Sequence, residues 1–570
     1  MELNIGRCCR QCRRRCGQVF RDFHPILAQV LYNRGINSGV AAIAFLSGAD
    51  VLHDPFKMKG MNQALARIRW AIKRKEPIVV YGDFDADGVT STVLLTQTLE
   101  SLGARVRHYI PHRVDEGYGL NTPALLHLAQ EGVKLVITVD CGVRSVEEVA
   151  AGKQAGLDII VTDHHSIGDE IPPALAVLNP KQEDCPYPED MLAGVGIAFK
   201  LSDALLRAAE RNDRHAPMIS TEDLLDLVAI GTVADLAPLD RLENRTLVRQ
   251  GLEVLNRAKR PGVYALLNVA GIEPGKVSAT SIGFGLGPRI NAAGRLESAL
   301  TAFDLLKTDD FDHAMRLAGE LQRLNEQRQE LTQEAQALAR GLASLEDGAS
   351  PPVIFAASEG FLSGIVGLVA GRLVEEYYRP AVVVEQGAEE SRGSCRSIPE
   401  VNITEALDEC ADLLLRHGGH AQAAGFSILT ANIPRFRERL MDVVGQQLRD
   451  RAELEPALTI DAALPLAQAS LELADQLSNL EPTGHANQPP IFMTERLKVL
   501  EARGVGKEGA HLKLRLGDGP VTIDGIAFRQ GDWLHELPPY VDVAYYLEMN
   551  VWGGKVSPQM NIQDLRPSRL

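Results

Sequence analysis

Between residues 77 and 162 the chain alternates short apolar runs with longer amphipathic stretches. Ile78–Tyr81, Val106–Ile110, Leu135–Val139 and Asp158–Thr162 read as strands. Val89–Gly103, Thr122–Glu131 and Ser145–Gly156 read as helices, the first opening at the caps Thr90 and Ser91. Strands separated by helices of this length predict a parallel, doubly wound sheet. Residues 17–75 read mostly as helix, with apolar spacing of three and four over Phe20–Phe45 and again over Met61–Lys73. Further on, Ala193–Glu210 and Glu222–Ala234 are amphipathic, and Phe311–Leu345 carries the longest helical pattern. Leu317, Leu321, Leu324, Leu331, Leu338, Leu342 and Leu345 fall on heptad-like positions, with Arg328 and Ala335 in the gaps. A coiled-coil dimer is one reading. One long helix, packed on the body and joining two halves, is preferred because Arg328 weakens the seam.

The break Asp347-Gly-Ala-Ser-Pro-Pro352 reads as a linker. Beyond it the pattern predicts strand Val353–Ala356, helix Gly364–Tyr378, strand Ala381–Glu385 and a helix Ile403–Arg416 leading into Gly418-Gly-His420. After about Glu455 short strands dominate: Leu458–Ala462, Phe492–Glu501, His511–Arg515, Val521–Ala527, Val541–Met549 and Gln559–Ile562. That spacing predicts a small closed barrel of the oligonucleotide-binding type.

Composition narrows this little. A chain of 570 residues accommodates two to four domains. No apolar run approaches a membrane span, and no signal-peptide pattern opens the chain, so no membrane association is expected. Cys141, Cys185, Cys395 and Cys410 are scattered, which fits a reducing cytoplasm. The other four cysteines sit in Arg7-Cys-Cys-Arg-Gln-Cys-Arg-Arg-Arg-Cys16. Their spacing can suit a metal, but a basic tail with incidental thiols is the favoured reading, since one short cluster rarely closes a tetrahedral site. Its arginines could also dock on nucleic acid. The net charge of −16 weighs only weakly against a nucleic-acid partner, because binding depends on local patches.

Candidate chemistry lies where the predicted strands end. Tyr81-Gly-Asp-Phe-Asp-Ala-Asp-Gly88 places Asp83, Asp85 and Asp87 at every second position. In an extended backbone these carboxylates share one side. Like charges so close need a counter-charge, and Mg²⁺ or Mn²⁺ is the natural one for hard oxygen ligands. A solvated acidic turn is the blander reading. Leu135–Val139 ends in Asp140, Ile159–Thr162 ends in Asp163-His164-His165, and Leu227–Ala234 ends in Asp235. In an open parallel sheet ligands bind at the carboxyl ends of the strands, so these groups can meet there. Such a set can hold two ions for phosphate-ester hydrolysis. No phosphate-binding G-x-x-x-x-G-K-[ST] loop, dinucleotide G-x-G-x-x-G or G-x-S-x-G nucleophile elbow offers another chemistry. Phosphate grips are expected in the loop Arg113–Tyr118, along the flexible Gly285-Leu-Gly-Pro-Arg289-Ile-Asn291, at Ser394-Cys-Arg396 and at Gly418-Gly419-His420.

At Asp163-His164-His165 the chain resembles the DHH phosphoesterase superfamily. The segments Gly82–Gly88, Ile137-Thr-Val-Asp-Cys-Gly142, Val161–His165, Leu192-Ala-Gly-Val-Gly196, Gly231-Thr-Val-Ala-Asp235, Gly285–Arg295 and Gly418–His420 resemble, more closely, its RecJ family of single-strand-specific 5′→3′ DNA exonucleases. The resemblance implies an α/β fold with a DHH domain at 51–245, a helical region with a long connecting helix at 246–346, a DHHA1 domain at 350–450 and an oligonucleotide-binding barrel at 456–570, after a basic, helical segment at 1–50. It implies Asp85, Asp87, Asp140, His164 and Asp235 as ligands of two Mn²⁺ or Mg²⁺ ions, with Asp83, His165 and His420 at the reacting centre. Asp83 is either a ligand or a group orienting water or a histidine. Arg113, Tyr118, Arg289, Asn291, Ser394, Arg396, Gly418, Gly419 and His420 match substrate-contacting positions. The implied substrate is single-stranded DNA, in recombination and repair, by a cytoplasmic monomer that can work with a RecQ-type helicase and a single-strand-binding protein. Two other readings are a phosphodiesterase for short RNAs or cyclic dinucleotides and a non-catalytic replication scaffold. Tyr81 stands where many DHH phosphatases have a histidine, and Phe361-Leu362 where the family usually has Trp-His.

Overall fold

The computed structural model describes residues 23–48, 51–112, 116–117, 119–212, 218–343, 351–449 and 454–568. The cysteine- and arginine-rich segment, Arg113 and Tyr118 lie outside them. The chain divides into two compact units. One comprises Met1–Leu52, Leu236–Arg249 and Ala457–Leu570, the other His53–Asp235 and Gln250–Pro456.

In the first unit, helices α1 (Pro25–Asn33) and α2 (Gly39–Ser47) lay Leu27, Leu31, Phe45 and Leu46 into one core with the barrel residues Phe492, Leu514, Val543 and Tyr545. Ser38 caps α2 by accepting from Ala41 N.

The second unit opens with helix α3 (Met61–Arg74), whose Ala64, Leu65, Ile68 and Ala71 turn inward at helical spacing. Strands β1 (Pro77–Tyr81), β2 (Arg105–Tyr109), β3 (Leu135–Val139), β4 (Asp158–Thr162) and β5 (Ala176–Leu178) form a wholly parallel sheet in the order β2-β1-β3-β4-β5. Helices α4 (Ala86–Ser101), α5 (Thr122–Gln130) and α6 (Val146–Gln154) make the crossovers. β3 is buried at every position, as strands covered on both faces must be. Helices α7 (Gly194–Asn212) and α8 (Leu225–Ala234) pack on α4.

After α9 (Leu242–Arg257), α10 (Pro261–Val269), α11 (Gly287–Leu296) and α12 (Leu300–Lys307) comes the long helix α13 (Phe311–Leu342). It packs on α10, α11 and α12, not in a leucine seam. Ala314, Ala318, Leu321, Leu324, Ala335 and Ala339 are buried, whereas Leu338 and Leu342 are exposed. Small alanines allow the close approach that the heptad reading overlooked.

A second sheet has the order β6-β7-β8-β10-β9, from β6 (Ile354–Ser358), β7 (Ala381–Glu385), β8 (Glu390–Arg396), β9 (Leu414–His420) and β10 (Ala423–Leu429). It is backed by α14 (Val366–Tyr377), α15 (Ile403–Asp408) and α16 (Ile433–Gln447). The expected helix over Ile403–Arg416 is corrected here: it stops at Asp408, and Leu414–His420 is strand. Back in the first unit, β11 (Ala462–Ala463), helix α17 (Leu471–Ser478), β12 (Phe492–Val505), β13 (His511–Asp518), β14 (Val521–Ala527), β15 (Tyr540–Trp552) and β16 (Lys555–Pro567) follow. The order β12-β13-β14-β16-β15 closes through β12–β15 pairing into a five-stranded barrel. No helix among the described residues is long and apolar enough to cross a membrane.

Candidate metal centre and phosphate cavity

Each ligand of the candidate centre is carried by the end of a regular element. The β-ladder runs one residue past three strands: Gly82 N donates to Tyr109 O, Asp140 N to Thr162 O and Asp163 N to Leu178 O. The Asp loop starts at Gly82, but it does not continue as strand. Asp85 is the N-cap of α4 and accepts from the N–H groups of Asp87 and Gly88 through Oδ1, and Asp87 lies in the first helical turn. The extended triplet and the caps at Thr90 and Ser91 are therefore corrected. The carboxylates converge because a strand end passes into a helix start, where capped N–H groups favour negative charge. Asp235 is the C-cap of α8, at the end of the helix expected over Glu222–Ala234.

Both carboxylate oxygens of Asp87 accept backbone hydrogen bonds. Its Oδ2 accepts from Gly194 N at 2.7 Å and its Oδ1 from Val195 N at 2.8 Å, at the N-terminus of α7. Two glycines make room. A Cβ on Gly194 would stand 2.7 Å from Asp140 Cβ, and one on Gly231 would stand 2.8 Å from Asp87 Oδ1. Asp140 itself holds a φ of 60°, a left-handed conformation uncommon outside glycine. Thr138 and Thr162 pin the turn, Thr138 Oγ1 donating to Cys141 O and Thr162 Oγ1 to Thr138 O.

His164 Nε2 lies 3.1 Å from Asp140 Oδ1 and 3.7 Å from Asp235 Oδ2. His165 Nδ1 is hydrogen-bonded to Asp163 Oδ1 at 2.8 Å and stands 4.0 Å from Asp140 Oδ1. Asp163 does not face the cluster freely: its Oδ2 accepts from Val143 N and its Oδ1 from His165 N. It orients His165. Two residues with no sequence signal beyond their neighbours hold the histidine backbone. Lys181 Nζ donates to His164 O and Asn179 Nδ2 to His165 O.

The electrostatics are those of a site that calls for a cation. Burial, then Asp85, raises the pKa of Asp87 to about 7. Burial and neighbouring aspartates raise Asp140 and Asp235 well above the usual carboxylate range. Burial lowers His164 to about 3. Asp163 falls below its ordinary value although burial pushes it up, because His165 and two N–H groups favour the anion. His165 is raised although burial opposes it, through Asp163. Three overlapping sets place one ligand atom per residue within 4.8 Å of one another: Asp140, His164 and His165; Asp87, His164 and Asp235; Asp83, Asp85 and Asp140. Asp140 Oδ1 and His164 Nε2 are buried and complete no hydrogen bond despite their proximity. Oxygen-rich donors with imidazole suit Mn²⁺ or Mg²⁺.

Beside the Asp loop lies a cavity of about 690 Å³ lined by Phe84, Ser394 and four arginines, Arg295, Arg392, Arg396 and Arg416, with no carboxylate among the described lining residues. Arg396 Nη1 donates to Ser394 Oγ at 3.1 Å. Arg295, Arg392 and Arg416 carry this charge without having been singled out as candidates. Arg289 is placed elsewhere, donating to Gly285 O and Gln322 Oε1. The stretch Gly285–Asn291 is not flexible loop but a π-helical turn, Ile282–Leu286, running into α11. Asn291 Oδ1 accepts from Ala86 N and so fixes the Asp loop. Gly418, Gly419 and His420 belong to β9 and are exposed, not a turn. Among the described residues no hydrogen bond or ion pair joins His420 to the metal candidates.

Comparison with known proteins agrees with this geometry. Residues 77–232 match the DHH family, N-terminal domain, residues 350–446 the DHHA1 domain and residues 460–564 the RecJ OB domain. The single-stranded-DNA-specific exonuclease RecJ of Dickeya dadantii is 38% identical over 96% of this chain and 97% of that protein. The chain belongs to the RecJ family. RecJ of Escherichia coli is 35% identical over 96% of both chains, and RecJ of Bacillus subtilis 37% identical over 95% of this chain and 68% of that protein. The crystal structure of RecJ from Thermus thermophilus in complex with Mn²⁺ superimposes with a TM-score of 0.81 at 34% identity, covering 98% of this chain and 78% of that one. A Mg²⁺ complex of the same RecJ is also similar, with a TM-score of 0.76. The family likeness thus covers the fold and the barrel together.

Proposed function

We propose that this protein is a Mn²⁺- or Mg²⁺-dependent exonuclease that hydrolyses single-stranded DNA from the 5′ end. The observation that carries the reading is the convergence of Asp83, Asp85, Asp87, Asp140, His164, His165 and Asp235 at the carboxyl edge of the parallel sheet, in a chain similar over nearly its whole length to RecJ exonucleases. Asp85, Asp87, Asp140, His164 and Asp235 are the proposed metal ligands. Bound there, two divalent ions supply an activated water and a counter-charge for the phosphate under attack.

The chain's own residues prepare that site. The α7 N-terminus holds Asp87 by both oxygens, which fixes its direction and favours its anion. Asp163 holds His165 through Nδ1 and so leaves Nε2 for a proton or a phosphate oxygen. Ser394 and Arg396 offer a hydroxyl and a guanidinium fork to a phosphate in the neighbouring cavity. His420, Arg113, Tyr118, Arg289, Gly418 and Gly419 remain proposed substrate contacts. The domain limits 51–245, 350–450 and 456–570, with the helical 246–346 between, are proposed as the working division of the chain. A monomer acting in the cytoplasm, on strands opened by a helicase and covered by a single-strand-binding protein, completes the reading.

Incubation with single strands labelled at the 5′ or the 3′ end, in Mn²⁺, tests it. Early release of the 5′ label with a shortening 3′-labelled strand is expected. Release from the 3′ end first, or equal attack on duplex, rejects it.

A further inference from the structure

Strands β8, β10 and β9 align three rows of residues on the open face of their sheet. Arg396, Ala423 and His420 form one row, Ser394, Gly425 and Gly418 the next, and Arg392, Ser427 and Arg416 the third. Alternation supports a common face: Ala424, Phe426 and Ile428 are buried in the core below, whereas Gly425 is exposed and Ser427 half-buried. The middle row carries two glycines, so its floor is bare backbone between two cationic ends. Rows two residues apart along a strand are separated by about 7 Å.

One end holds the phosphate seat proposed above. Ser394 and Arg396 lie against the first turn of α14, where a Cβ on Gly367 would stand 3.1 Å from Ser394 Oγ and 3.1 Å from Arg396 Nη2. The other end has had no task. Arg392 and Arg416 are exposed, line the same cavity and straddle Ser427. Glu385 stands opposite Arg392 on β7 but does not line the cavity. Guanidinium groups gathered in one cavity repel each other unless anions lie between them, and no carboxylate among the described residues lines the cavity at this far pair. A neutral base would gain little there.

We propose that Arg392 and Arg416, with Ser427 between them, form a second phosphate seat whose row lies about 7 Å from that of Ser394, so that the sheet face grips two phosphate groups of one strand end. The inference rests on the single-strand-nuclease reading and names its substrate grip. The second phosphate has two sources, the next phosphodiester of the strand or a terminal polyphosphate.

Binding of a fluorescent 5′-phosphorylated oligomer in EDTA, across a salt series, is the test. Each phosphate contact on a single strand contributes about 0.7 to the slope of log affinity against log salt. Arg392→Ala with Arg416→Ala is expected to lower the slope by about 0.7, and Arg392→Lys with Arg416→Lys to keep it. If the strand supplies the phosphate, one neutral methylphosphonate near the end reproduces the loss in wild type and adds nothing in the alanine variant. If a terminal polyphosphate supplies it, a 5′-triphosphate oligomer binds more tightly than a 5′-monophosphate one in wild type alone. An unchanged slope in the alanine variant, with its melting temperature preserved, overturns the second seat. Failure of wild type to bind or cut single strands overturns the nuclease reading instead.

Discussion

Asp140 shows how much one residue is asked to do. It follows a buried strand, holds a positive φ, and presents Oδ1 beside His164 and His165 without completing a hydrogen bond. The space it occupies exists because residue 194 is glycine. Gly194→Ala is therefore expected to displace Asp140 and disturb the Gly194 N–Asp87 contact. A displacement of an ångström at a reacting centre costs roughly 100-fold, so nuclease activity should fall by about that factor while circular dichroism stays native. The charges give a second expectation at this scale. With folded-state pKa values raised for Asp87, Asp140, Asp235 and His165, the metal-free protein gains stability that is present at low pH and lost as pH rises through those values. His164, depressed by burial, opposes this only weakly between pH 6.5 and 8, because the unfolded imidazole is already half deprotonated at the start of that range. Chelated protein should melt at a lower temperature at pH 8 than at pH 6.5. Saturating Mn²⁺ should remove or reverse that trend, because ions bind the ionised form.

At the scale of elements, the acid-bearing helices are tied together away from the centre. Arg260 makes a two-pronged, largely buried ion pair with Asp226 on α8, and also donates to Gln97 on α4 and to Leu306 O on α12. Arg260→Ala leaves Asp226 buried and unpaired, a change that costs about 3–5 kcal/mol. Chemical denaturation should show that loss, and a variant as stable as wild type would show that the pair does not brace α4 against α8. The parallel sheet was legible from sequence because β1, β3 and β4 are short, mostly apolar runs bounded by helices. The second sheet was half invisible. β8, β9 and β10 carry Gly393, Gly418, Gly419 and Gly425, and glycine weakens the strand signal. Two of those glycines have local reasons: a Cβ on Gly393 would collide with the Phe426 ring, while Gly425 keeps the cavity floor bare. The Asp triplet misled in a similar way. Period two signals a strand, but Asp85 capped a helix instead, and helix capping is decided by which N–H groups lie within reach, not by periodicity.

For the molecule as a whole, the ends of the apolar runs pointed to the ligands, since the sheet gathers Asp83, Asp140 and His164 at one edge and the helix ends bring Asp85, Asp87 and Asp235 to it. The cavity arginines were not legible, because Arg295, Arg392 and Arg416 are separated by up to 121 positions in the chain and meet only through folding. The central claim is that this cluster binds divalent ions and that bound ions make the chain a nuclease. Asp140→Asn tests it most directly: asparagine tolerates the left-handed backbone and keeps the shape while removing the charge. Mn²⁺ binding by calorimetry and cleavage of a labelled single strand should be measured on the same preparation. Both are expected to fall by about 100-fold or more, since even residues that only orient a metal ligand cost 10- to 100-fold, while the metal-free melting temperature does not fall. An Asp140→Asn protein that binds Mn²⁺ and degrades single strands as wild type does would contradict the account.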